Sequence, residues 1–196
     1  FSFMRDGPLD MRLDPTSGRS AAALIAALPE EELASIIRRY GEEPRARAIA
    51  RKLVAERDSG PIDTTSRLVS VLRAVLGPRH PSTRIDPVTR TFQALRIAVN
   101  DEVSNLESLL ESIRRSAEAL PTGSAAAWLN PGARVGIISF HSLEDRLVKQ
   151  HFRELTSRGL ATAVTRRPIV ADDVETDFNP RARSAKLRVI ALADAA

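Results

Sequence analysis

Gly136-Ile137-Ile138-Ser139-Phe140-His141-Ser142-Leu143-Glu144-Asp145-Arg146 is the stretch on which the fold turns. An apolar run gives way to a histidine and then to Ser-Leu-Glu-Asp, which reads as strand, turn and helix start. In an open α/β sheet, ligands bind outside the carboxyl ends of the strands, where such a turn lies. Ser142, followed three residues later by Asp145, has capping-box spacing, so both side chains can serve the backbone of the helix start. A cap requires neither Phe140 nor His141. A histidine there can donate, accept or titrate near neutral pH, and a buried histidine satisfied by its neighbours is the alternative reading.

Working outward, residues 134–140 form a short, mostly apolar strand of the kind buried in a parallel sheet, and the following helix runs from Ser142 to residue 156. Upstream, Phe92, Leu95, Val99, Val103, Leu106, Leu110, Ile113 and Ala117 recur at spacings of three and four. They predict one long helix with a single buried face, starting between residues 89 and 91. Residues 121–132 are a loop of small residues. Downstream, residues 161–170 and 185–192 are β candidates, separated by an acidic turn region and Asn179-Pro180. Helix, strand, helix, strand, strand is the trailing half of an α/β sheet with an antiparallel finish.

Residues 16–78 read instead as a small all-helical module. Ser20 caps an apolar stretch over 21–28, and Pro29 with Glu30, Glu31 and Glu32 opens a second helix through Arg39. Gly41 ends it, a third helix spans 44–56, and Thr64 or Thr65 caps a fourth that carries Leu68, Val71, Leu72 and Val75. Residues 1–15 are turn-rich, with Asp6-Gly7-Pro8 and Asp14-Pro15, and residues 77–87 contain three prolines and act as a connector.

Composition narrows the classes of function. The chain has 196 residues and no cysteine, which removes disulfides, thiolate metal sites and a cysteine nucleophile and suits a cytoplasmic protein. No stretch approaches the ~20 apolar residues of a membrane span. His80, His141 and His151 lack metal-ligand spacing, so no metal is expected. Glycine-rich nucleotide fingerprints are absent. A net charge of +4, carried almost wholly by arginine, suits an acidic partner such as nucleic acid. The chain starts at Phe1 without an initiator, so the natural protein is expected to extend further upstream.

Several motifs together carry a resemblance. They are Phe1-Ser2-Phe3 with Asp6-Gly7-Pro8-Leu9-Asp10-Met11-Arg12, then Tyr40-Gly41-Glu42-Glu43, then Thr89-Arg90-Thr91-Phe92-Gln93-Ala94-Leu95-Arg96-Ile97 with Val99-Asn100. The turn from Phe140 to Arg146 follows, and then Asn179-Pro180-Arg181 with Arg183-Ser184-Ala185-Lys186-Leu187-Arg188. In this order they resemble the family of 16S rRNA cytosine-N4 methyltransferases, matching its C-terminal two-thirds.

The resemblance implies an S-adenosylmethionine-dependent enzyme that methylates the N4 of a cytidine in the decoding region of 16S rRNA within the small ribosomal subunit. It implies the trailing half of a class I, Rossmann-like methyltransferase sheet with an inserted all-helical domain. On that expectation residues 1–15 leave the methyltransferase core, 16–88 form the inserted domain for substrate recognition, and 89–196 resume the core. The family's glycine-rich cofactor loop and ribose-holding acid lie upstream of the segment matching Phe1. No cofactor-binding residue is therefore expected in this chain, which alone is expected to be inactive. The rival expectation is a non-catalytic RNA- or ribosome-binding module. The sequence leaves the oligomeric state open, a homodimer included.

Within this frame His141, Glu144 and Asp145 are the candidate catalytic residues, because they cluster at a strand's carboxyl end and can accept an N4 hydrogen. Phe140 is a candidate for stacking on a flipped base. Ser142, Arg96, Asn100, Arg181 and Arg183 complete the candidate substrate contacts, with Lys186 and Arg188 extending the basic cluster of the tail. Capping and ion pairing are the alternative for Arg96 and Asn100, and an ion pair is expected between Asp10 and Arg12. Arg38, Arg39, Arg45, Arg47 and Arg51 are candidates for gripping structured RNA.

Overall fold

The computed structural model describes residues 5–78 and 86–194. The Phe1-Ser2-Phe3 motif, His80 and most of the proline-rich connector lie outside the described residues. The chain divides into two compact units, Phe1–Glu102 and Val103–Ala196.

The first unit is helical: α1 (Ala21–Ala27), α2 (Glu30–Gly41), α3 (Ala46–Ser59), α4 (Thr65–Leu76) and α5 (Val88–Asn100). Their apolar stripes meet in a core that includes Leu33, Ile37, Ile49, Leu53, Leu72 and Leu95. Ser20 accepts the Ala23 N–H at 3.1 Å and Thr64 accepts the Arg67 N–H at 3.2 Å, so both helix starts are capped as the sequence predicts. The turn-rich segment before α1 joins this core. Leu9 and Met11 are buried, the Leu9 N–H donates to the Asp63 carbonyl at 2.8 Å, and the Ala21 N–H donates to that of Asp10 at 2.7 Å.

Gly41 illustrates a residue whose type is legible but whose reason is not. The left-handed residue that ends α2 is Glu42, at φ 49°. Gly41 is required because a Cβ there would stand 2.6 Å from the carbonyl oxygen of Arg90 in α5. α2 and α5 thus meet backbone against backbone, and Gln93 Nε2 donates to the Tyr40 carbonyl across the same seam at 3.1 Å.

The single long helix expected over residues 89–117 is two helices. α5 ends at Asn100, Asp101 is left-handed at φ 50°, and α6 (Glu102–Ala119) follows. Phe92 and Leu95 lie in the core of the helical unit, whereas Leu110, Ile113 and Ala117 lie in the core of the second. Aspartate tolerates the left-handed conformation, so no glycine or proline marks the break.

The second unit holds α6 from Val103 onward, β1 (Arg134–Ser139), α7 (Ser142–Ser157), β2 (Ala161–Ala163), β3 (Ile169–Val170), α8 (Asp173–Phe178) and β4 (Lys186–Leu192). β4 pairs with β1 along one edge and with β2 and β3 along the other, all antiparallel. Val148 and Phe152 of α7 pack with Ile190 and Leu192 of β4 and with Leu110 and Ile113 of α6.

The α/β class is as expected, with three local corrections. Where the apolar run suggested burial in a parallel sheet, among the described residues β1 pairs antiparallel with β4, and Ile138 is 56% exposed while Val135 and Ile137 pack against the core. An apolar run reports burial of at least one face and says nothing of a partner's direction. The β candidate at 161–170 is split by a bulge, where Val164 and Thr165 both donate their N–H to the Val189 carbonyl at 3.1 Å. Thr165 Oγ1 in turn accepts the Val189 N–H at 2.9 Å. The acidic turn region contains α8, capped by Asp172, which accepts the Glu175 N–H at 2.7 Å.

Gly41→Ala should cost about 1–3 kcal/mol, because the clash is with α5 backbone rather than a movable side chain. Urea unfolding of the full-length protein measures it, and a loss below about 0.5 kcal/mol would mean that the α2–α5 seam yields freely.

Candidate functional site

The turn between β1 and α7 assembles the residues that the sequence singles out, with different roles at the helix start. The capping residue is His141, not Ser142: its Nδ1 accepts the Glu144 N–H at 3.3 Å. Glu144 completes the box by accepting the Phe140 N–H at 2.8 Å and the His141 N–H at 3.3 Å. His141 Nε2 lies 3.4 Å from Glu144 Oε1, and the imidazole is largely buried. The box is shifted by one residue from the spacing read in the sequence, because imidazole Nδ1 caps as a serine hydroxyl does. The His141 side chain therefore serves the cap after all. Ser142 opens α7 and is exposed.

Asp145, freed from capping, holds the sheet instead. Its carboxylate receives Arg188 Nε at 2.8 Å and Nη2 at 3.3 Å, and Lys186 Nζ at 3.3 Å. These hydrogen bonds, that from Arg188 foremost, hold its pKa below the usual carboxylate value. Asp145 is thus an ionised acceptor at neutral pH. Lys186 and Arg188, read in the sequence as part of the tail's basic cluster, are bound to it from alternate positions of β4. Both Glu144 and Asp145 sit in the first turn of α7, where the helix dipole favours negative charge.

Phe140 lies in the turn and is 54% exposed. Ser139, the last residue of β1, is buried, and its hydroxyl has no hydrogen-bond partner among the described residues. Sequence reasoning gave Ser139 no role, and the only available signal was its place at the polar end of an apolar run.

The remaining candidates lie elsewhere in the chain. Arg96 forms a two-point ion pair with Glu102 at 2.7 and 2.8 Å. Asn100 donates to the Met11 carbonyl at 2.8 Å and accepts the Leu13 N–H at 2.8 Å. Met11 is itself left-handed at φ 65°, so Asn100 fastens a strained segment. Asp10 and Arg12 form the expected pair, at 2.7 and 2.9 Å. Arg181 and Arg183 are exposed in the turn over Pro180–Ser184. Arg38, Arg39, Arg45, Arg47 and Arg51 are exposed on α2 and α3 and the turn between them. Arg45 Nη1 donates to the Val75 carbonyl at 3.0 Å, and Arg51 lies 3.7 Å from Glu30.

Comparison with known proteins places these motifs. The family model described as the MraW methylase family matches residues 1–193. A protein of Acidobacterium capsulatum named ribosomal RNA small subunit methyltransferase H is 47% identical over 96% of this chain and 58% of its own length. Proteins with the same name from Citrifermentans bemidjiense and Acaryochloris marina are 45% and 48% identical, over 97% and 96% of this chain and 62% and 57% of their own lengths. The chain thus spans about three fifths of the length of the curated relatives it matches.

Removal of the Asp145 charge by Asp145→Asn should cost about 2 kcal/mol at neutral pH, since it leaves Arg188 and Lys186 without their partner. The folded pKa is depressed, so the carboxylate's contribution is complete above the unfolded value of about 3.9 and is lost as pH falls through the folded value. Unfolding free energies of wild type and variant measured against pH should differ most near neutrality and converge in acid. A difference that stays constant into acid would show that charge is not what ties α7 to β4.

Proposed function

The chain belongs to the MraW methylase family, and from that premise we propose that its full-length protein methylates the RNA of the small ribosomal subunit. The observation that carries this reading is the 45–48% identity sustained over 96–97% of the chain to relatives so named. The finer reading is transfer to the exocyclic N4 of a cytidine in the decoding region of 16S rRNA. The division into a connecting segment, an inserted helical domain for substrate recognition and a methyltransferase half belongs to the same proposal, as does a cytoplasmic location. Among the described residues no helix is long and apolar enough to cross a membrane.

The geometry of the turn supports that chemistry in three ways. Phe140 offers an exposed aromatic face on which a flipped base can stack. Asp145 offers an ionised carboxylate whose position is set by Arg188 and Lys186. It can accept an N–H of the amine and orient the nitrogen. Its depressed pKa makes it a poor resting place for the proton, so the proton passes on to water. His141 and Glu144 hold the backbone on which Phe140 and Asp145 stand.

S-adenosylmethionine is the methyl donor that the family implies. The described turn does not by itself make a site for it. In this reading Asp145 is given to the substrate amine and Glu144 is engaged by the backbone, so the turn has no further carboxylate to accept from a ribose diol. No step is therefore routed through the donor.

Nucleoside mass spectrometry on undermethylated small subunits, incubated with S-adenosylmethionine and the full-length protein, tests the reading. N4-methylcytidine is the expected product. Its absence, with subunit binding intact, would overturn the reading in favour of a non-catalytic ribosome-binding module.

His141→Asn separates the two roles of the histidine, because asparagine is a strong N-cap but has no imidazole. Stability should change by less than about 1 kcal/mol. Turnover at wild-type level would mean that His141 acts only as a cap, whereas a fall of about tenfold or more would assign the imidazole a part in the chemistry.

A further inference from the structure

Beyond the turn, α7 and the β2–β4 edge enclose a groove of about 220 Å³. Phe152 and Ile190, both buried, form its floor, and Lys149, Arg153, Arg166 and Arg188 stand around it. Lys149 and Arg153 are four residues apart on α7, so they project from one face of the helix about 6 Å apart along its axis. Arg166 comes from the opposite wall. It follows Thr165 in the bulge that interrupts pairing with β4, and a bulge of this kind re-aims the side chains beside it. Arg188 joins the groove to the turn, since the same guanidinium holds Asp145.

Within this groove Arg188 is the cation that a carboxylate neutralises. Arg12, Arg67, Arg96, Arg114 and Arg158 each have a carboxylate partner within 3.0 Å. Among the described residues, Lys149, Arg153 and Arg166 have none. An apolar floor with unneutralised positive charge around it, and no acid facing in, attracts a polyanion through its charges rather than through base edges.

We propose that this groove is a second RNA contact, which holds the phosphate backbone of the strand whose target base is presented at the β1–α7 turn. The proposal rests on the reading of the full-length protein as an RNA methyltransferase. α7 then serves both contacts: its first turn carries Asp145, and the next turns carry Lys149 and Arg153.

The test compares the full-length protein with a triple variant, Lys149→Ala, Arg153→Ala and Arg166→Ala, and with its charge-keeping counterpart, Lys149→Arg, Arg153→Lys and Arg166→Lys. Binding to undermethylated small subunits and to a naked 16S rRNA fragment is measured across a salt series. Each phosphate contact contributes about 0.7–0.9 to the slope of log affinity against log salt, so the alanine variant should have a slope shallower by about two to three. Its affinity should fall about tenfold or more near 0.15 M salt, whereas the charge-keeping variant should bind as wild type does. An unchanged slope and affinity in the alanine variant would overturn the proposal. So would loss of subunit binding with naked-RNA binding intact, which would put a ribosomal protein in the groove. Failure of the methyltransferase reading shows separately, as wild-type protein that binds subunits but yields no methylated nucleoside.

Discussion

The second unit depends on one strand. β4 supplies hydrogen bonds to β1, β2 and β3, so each of them is placed by its register on β4 rather than by its neighbours in sequence. The pairing from Arg134↔Ala191 to Ser139↔Lys186 brings the end of β1 level with the start of β4. The turn that follows β1 therefore lies beside Lys186 and Arg188, and Asp145 can reach both. A register slip of one residue would turn Arg188 to the other face and leave Asp145 without its principal partner.

This arrangement divides the acids of the turn between two tasks. Glu144 satisfies backbone donors at the helix start, and Asp145 neutralises the cations of β4. Neither is a loose carboxylate awaiting a proton. A group that must stay ionised and fixed benefits from this setting, because low pKa and defined geometry follow from the same hydrogen bonds. Phe140 has the opposite character: the cap fixes its backbone, while its ring is left to solvent.

The motifs of the helical unit are explained largely by packing. Gly41 admits the backbone of α5, Gln93 bonds across that seam, and the buried Glu43 accepts the Arg45 N–H at 2.9 Å with Arg90 at 3.7 Å. Asn100 fastens Met11 and Leu13. These residues were legible as a family signature, yet their contacts lie up to 89 positions apart in the chain. No spacing rule could have paired them.

By itself the sequence determined the first four helices of the first unit, the cap at Ser20, the strand–turn–helix around residue 140 and the family. These rest on local periodicity, local capping and motif identity, and the information for them lies within a few residues. Only the tertiary structure decided that the stripe from Phe92 to Ala117 serves two cores, that β1 pairs antiparallel, that His141 rather than Ser142 caps α7, and which cations are neutralised. Lys186 and Arg188 look no different in sequence from Lys149 and Arg153. What separates them is that β4 carries the first pair to within 3.3 Å of Asp145, and charge is neutralised by proximity in space, which falls off with distance and takes no account of position along the chain.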